Sequence, residues 1–123
     1  HARMLLRLAV NEAESWVLAD HDGMHAGFKV PPARLPDAPD DLDDPKARLL
    51  HVVHRHAPTA IRREMVEVDS AGQPRRSTGY AAHLHQFVAQ FWDPARAAQR
   101  SPSLCRAMGR LVAWPTLALQ QQP

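Results

Sequence analysis

The chain has little cysteine, little lysine and no long apolar run, and each shortage removes a class of protein. With Cys105 as the lone cysteine, neither an internal disulfide nor a cysteine-rich zinc site is possible. Cys105 reads as a small apolar filler on a helix, since no Cys-His signature surrounds it. No stretch approaches the roughly 18 apolar residues of a membrane span. The apolar opening Met4 to Val10 runs into Asn11-Glu12 without a small-residue cleavage site, so it does not read as a secretory signal. These absences predict a cytoplasmic protein with no membrane partner. The net charge of +2 is too small to demand a nucleic-acid partner by bulk electrostatics.

What is present suits one globular domain. The 123 residues can bury one core but not two. Aspartates crowd one stretch (Asp37, Asp40, Asp41, Asp43, Asp44), whereas arginines dominate later, from Arg62 to Arg110. Arginine outnumbers lysine thirteen to two. That fits phosphate recognition through the planar guanidinium fork, and fits a GC-rich genome better, so it assigns no site by itself.

Met4 to Val10 has the length and continuity of a strand buried on both faces, as in a parallel sheet. Such a strand needs neighbours to satisfy its backbone, and little here supplies them. The first residue is His1 and the pattern opens in mid-course, so the chain is expected to be a piece of a longer protein. Asn11 caps a helix starting at Glu12, carrying Ala13, Trp16, Val17, Met24 and Phe28 on one face with a break at Gly23. Five prolines between Val30 and Pro45 predict an extended loop. Asp44-Pro45 starts a helix that buries Leu49, Leu50 and Val53 and ends before Pro58.

Met65 to Val68 predicts a short strand and Asp69 to Gly72 a turn, with the basic remainder up to Thr78 a mobile loop. Tyr80, Leu84, Phe87, Val88 and Phe91 mark an amphipathic helix, which makes core packing rather than base stacking the default for its aromatics. Asp93-Pro94 and Ser101-Pro102-Ser103 open two more helices, so the serines read as caps and not as nucleophiles. His21 and His25, like His51 and His54, share helix faces but lack a metal motif and read as surface histidines.

The sharpest constellation is Glu12 and Glu14, placed directly after the first strand. Ligands of open α/β sheets bind beyond the carboxyl ends of strands, where two carboxylates suit Mg²⁺. Spacing alone fits ordinary first-turn acids at least as well. Lys46, in the first turn of its helix, is a candidate phosphate contact. Arg62 and Arg63 are candidates for a phosphate clamp, or a solvated charge run.

The string from Ala9-Val10-Asn11-Glu12-Ala13-Glu14-Ser15-Trp16 through Val17-Leu18-Ala19-Asp20 resembles the signature of the family called domain of unknown function 4276. Further strings follow in family order: Lys29 to Pro32, Leu35-Pro36, Pro39 to Leu42, Asp44-Pro45-Lys46, Ile61 to Glu64, Gly79-Tyr80, Phe87-Val88, Trp92-Asp93-Pro94 and Ser101 to Leu104. The likeness runs from about Leu8 to Leu111. It implies an α/β, Toprim-like fold related to the nuclease domains of overcoming-lysogenization-defect proteins. This chain would be the C-terminal part of one such domain (1–114) with a disordered tail (115–123). It would be mostly α-helical, with an N-terminal strand from a parallel sheet and one short second strand.

The resemblance also implies Mg²⁺-dependent phosphodiester chemistry on nucleic acid in a bacterial defence or mobile-element setting. Glu14, with Glu12 beside it, matches the last acidic position of the metal cluster. The other members would lie before His1, and Asp20-His21-Asp22 has the letters but not the place of the missing Asp-x-Asp pair. The chain alone is therefore expected to be inactive. The alternative is a non-catalytic domain for protein interaction or self-association, because a strand edge and apolar surface stripped of neighbours promote association.

Overall fold

The computed structural model describes residues 13–110. The strand expected over Met4 to Val10, the position of Glu12 and the tail 115–123 lie outside these residues. What is described is mostly helical. Helix α1 covers 13–19, followed by α2 (His21–Phe28), two 3-10 turns (Pro32–Arg34, Pro39–Asp41), α3 (Pro45–His56) and α4 (Thr59–Met65). The strands β1 (Val66–Val68) and β2 (Pro74–Arg76) come next, then α5 (Tyr80–Gln90), α6 (Pro94–Ala98) and α7 (102–110). Among the described residues no helix is long and apolar enough to cross a membrane.

Local chemistry explains most of these starts. Asp44 accepts a hydrogen bond from the Ala47 N–H with Pro45 at the first helical position, and Asp93 caps α6 in the same way through Ala95. Ser101 Oγ accepts from the Leu104 N–H to open α7. The expected break at Gly23 falls instead at Asp20, which leaves the helical region (φ −88°, ψ 86°) and caps α2 through the Gly23 N–H. Gly23 sits inside α2 because a Cβ there would overlap Oδ2 of Asp20 and come within 2.8 Å of the Phe91 carbonyl oxygen. In an open helix Gly→Ala stabilises by about 0.5–1 kcal/mol. Here G23A is expected to destabilise by about 1–3 kcal/mol, a reversed sign that urea unfolding of both proteins will read.

The second strand expected near Met65 is β1, and the expected turn follows it. Asp69 accepts from the N–H groups of Ala71 and Gln73, and Gly72 adopts φ 81°, a left-handed conformation natural to glycine. The loop expected beyond this turn is in part a strand. β2 pairs antiparallel with β1, with Val66 opposite Arg76 and Glu67 opposite Arg75. This hairpin is the sheet of the described residues, and it is antiparallel.

The main core gathers residues from Val17 to Phe87, and a smaller cluster joins Ala19 to Ala97 and Leu104. Leu18, Met24, Phe28, Val30, Leu49, Val53 and Met65 are fully buried. Phe28 stacks on Phe87, ring centroids 4.3 Å apart, at a point where Gly27 leaves room for the Phe87 ring. The hairpin packs on α3, α3 on α4, and α4 on α5. Phe91, expected in the core, is 38% exposed, because α5 ends at Gln90 and releases it from the buried stripe. Cys105, expected as an apolar filler, is exposed on α7, next to Leu104, which takes the buried position.

Candidate functional site

Glu14, the described half of the acidic pair, is only 9% exposed. Its Oε1 accepts from the Tyr80 hydroxyl at 3.2 Å. Burial, reinforced by the Glu14 charge, pushes the Tyr80 phenol far above its ordinary value, so the tyrosine stays a donor. Among the described residues no group of three or more His, Cys, Asp or Glu side chains is arranged to hold a metal ion.

Four of the strings quoted from the sequence meet through structural hydrogen bonds: Ser15 to Asp20, Pro39 to Leu42, Trp92-Asp93-Pro94 and Ser101 to Leu104. Asp40, in the second 3-10 turn, accepts from Ser101 Oγ at 2.7 Å, from the Ser103 N–H at 2.8 Å and from Ser103 Oγ at 3.1 Å. Ser15 Oγ reaches the same carboxylate at 3.5 Å. Trp16 donates its indole N–H to Ser103 Oγ, and Trp92 donates to the Trp16 carbonyl, each at 2.9 Å. Asp20 is fully buried and accepts from Arg96 Nε at 2.8 Å, Arg96 Nη2 at 3.0 Å and the Asp93 N–H at 2.8 Å. Burial raises the Asp20 carboxyl, yet the Arg96 guanidinium and the N–H groups of Gly23 and Asp93 outweigh it and hold the group below its ordinary value.

The three basic candidates have separate fates. Lys46 is exposed and lines a groove of about 870 Å³ together with Arg48 and His51 of α3 and Arg75 and Arg76 of β2. Asp41, Asp43 and Asp44 line the same groove. Arg75 is held at 2.9 Å by Asp69, yet its side chain stays 70% exposed. Arg62 folds back to close the corner between α3 and α4, donating to the His54 carbonyl at 3.2 Å and to Thr59 Oγ1 at 3.1 Å. Arg63 lines a smaller cleft of about 380 Å³ with Glu64, Ser77, Thr78, His83 and Gln86. The expected clamp of Arg62 with Arg63 is thus divided between a fold contact and a cleft wall.

That smaller cleft holds a pair with no counterpart among the sequence motifs. His83 Nδ1 lies 2.6 Å from Glu64 Oε2, and the imidazole stacks on Phe28 with centroids 5.9 Å apart. Nineteen residues and the whole hairpin separate the two partners, so no local spacing announces them. His21, expected at the surface, is 5% exposed with Nε2 2.9 Å from the Pro36 carbonyl oxygen. A carbonyl only accepts, so Nε2 carries the proton.

Compared with known proteins, the chain matches no family model, no curated protein and no solved structure.

Proposed function

We propose that this chain is the C-terminal part of a Toprim-like domain that acts on nucleic-acid phosphodiesters, and that the groove between α3 and β2 grips the phosphate backbone. The observation that supports it is the convergence of Lys46, Arg48, His51, Arg75 and Arg76 from two elements on one groove. Basic side chains on a shared concave wall track a phosphate chain, and planar guanidinium groups match its oxygens. The fold relation to Toprim-like proteins rests on the ordered motif strings. Mg²⁺, when bound by a complete acidic cluster, neutralises phosphate charge and activates water. Glu14, whose carboxylate has an oxygen to spare beside the one that accepts from Tyr80, would supply one member of that cluster, so this chain by itself is expected to bind nucleic acid without Mg²⁺-dependent cutting.

The test is fluorescence anisotropy of labelled single-stranded DNA and RNA across a salt series, comparing the protein with K46A/R75A/R76A. The triple variant is expected to bind at least about tenfold more weakly, with a salt slope shallower by about 0.7 for each phosphate no longer neutralised. Equal affinity and slope would remove the reading. A second reading, self-association or partner binding, draws on Val88 and Phe91, exposed 40% and 38% at the end of α5. A concentration-dependent mass in sedimentation, abolished by V88D/F91D, would favour it.

A further inference from the structure

We propose that the cleft between the end of α4 and the start of α5 is a metal-independent RNA-cleaving site, with His83 as general base and Glu64 as its positioning residue. For its substrate class this rests on the nucleic-acid reading above. The geometry stands by itself.

The pair is built rather than accidental. A carboxylate only accepts, so Glu64 Oε2 at 2.6 Å places a proton on Nδ1 and, of the two tautomers of the neutral ring, favours that one. Nε2 then carries a lone pair, and it takes no hydrogen bond among the described residues. The ring is pinned from one side by Phe28, which is itself buried and stacked on Phe87. The other partner is placed through its main chain. Ser77 Oγ donates to the Glu64 carbonyl, and Gly79 lets the loop pass so close that a Cβ there would sit 2.6 Å from that same oxygen. The His83 side chain is 20% exposed and that of Glu64 65%, so the dyad reaches solvent. Arg63 supplies a cation, Thr78 a hydroxyl and Gln86 an amide to the same cleft.

A base beside a lone arginine suits a substrate that carries both an anion and its own nucleophile. RNA does, since each phosphodiester lies next to a 2′-hydroxyl, and an attached nucleophile needs little further positioning. In the step proposed, His83 Nε2 takes the 2′-hydroxyl proton and O2′ attacks phosphorus. The P–O5′ bond breaks, the electron pair leaves on O5′, and O5′ takes a proton from water. The products are a 2′,3′-cyclic phosphate and a free 5′-hydroxyl. Glu64 stabilises the imidazolium formed, which then returns its proton to solvent, and Arg63 neutralises the phosphate oxygens. No oxidant, metal or further reactant is needed. DNA lacks the 2′-hydroxyl and is not cut.

The test is cleavage of a labelled pyrimidine-rich RNA oligonucleotide in EDTA, with the matching DNA alongside. The expected result is cyclic-phosphate ends from RNA alone, with a rate at least about 100-fold lower in H83Q. E64Q is expected to lose about 10- to 100-fold. E64Q replaces a mostly exposed side chain and so tests the dyad even where H83Q unfolds. Nitrogen shifts of the His83 ring should report protonated Nδ1 in the parent and a mixture of tautomers in E64Q, which a purely structural Glu64 would not produce. The proposal is overturned by absence of RNA cleavage in EDTA, or by cleavage that persists equally in E64Q and H83Q purified in parallel. Substrate length separates the two readings: cleavage by the parent protein of a dinucleotide, too short to run along the groove between α3 and β2, supports the dyad even where longer oligonucleotides do not bind that groove.

Discussion

Asp20→Ala is expected to remove about 3 kcal/mol of folding stability, a large share of the roughly 5–15 kcal/mol of an ordinary domain. The carboxylate is fully buried and serves three partners at once: the Gly23 N–H that starts α2, the Asp93 N–H that starts α6, and the Arg96 guanidinium. Removing it leaves two main-chain donors unpaired, at about 1–3 kcal/mol for each buried one. Arg96 is 40% exposed and returns to water, so its share is small. Asp20→Asn keeps one acceptor oxygen and is expected to fall between the parent and the alanine variant. Urea unfolding gives all three values.

The same carboxylate predicts a pH dependence with a definite sign. Its folded value lies below the ordinary one, so its contribution is complete above the unfolded-state value, about 3.9. That contribution is lost as pH falls through the lower, folded value. The protein should therefore lose stability on acidification below about pH 4, and Asp20→Asn should lack that part of the slope. Parallel pH profiles of parent and variant would sink the assignment of the buried charge.

Phe28→Ala is expected to cost about 3–5 kcal/mol, the usual range for a fully buried phenylalanine. The ring is 0% exposed and lies between Phe87 at 4.3 Å and His83 at 5.9 Å. Its loss leaves a cavity that Gly27 cannot help to fill and that the neighbouring helices can close only in part. Phe28→Leu should cost about 1–2 kcal/mol, since most of the volume remains. Because Phe28 supports the His83 ring, the leucine variant should also lose part of any His83-dependent RNA cleavage while staying folded. Circular dichroism melts paired with the EDTA assay separate the two effects. A Phe28→Ala protein as stable as the parent would mean that this ring is not at the centre of the core.

The chain's own letters announce how its elements begin, because the interactions concerned span three or four residues. Asp44, Asp93 and Ser101 each sit before a proline and accept from an N–H two or three residues on. Asp69 and Gly72 determine their turn in the same local way. The apolar spacing of α5 already marks Phe87 as buried. By contrast, the break at Asp20 rather than Gly23 was hidden, because glycine serves there to admit a carboxylate and a carbonyl, not to end a helix. β2 was hidden too, since Pro74-Arg75-Arg76 has no strand pattern and pairs only because β1 lies beside it.

Tertiary structure alone decided which of these groups meet. Asp20 finds Arg96 across 76 positions, Ser101 finds Asp40 across 61, and Glu64 finds His83 across 19. It also turned Glu14 inward to Tyr80, drew Arg62 away from Arg63, and set Lys46 beside Arg75 and Arg76. The physical reason is one of range. A cap or a turn is settled by geometry within a few bonds of backbone. A carboxylate's distant partner is settled by how whole helices bury their apolar faces, and those faces constrain direction and depth without naming the polar residue that will arrive.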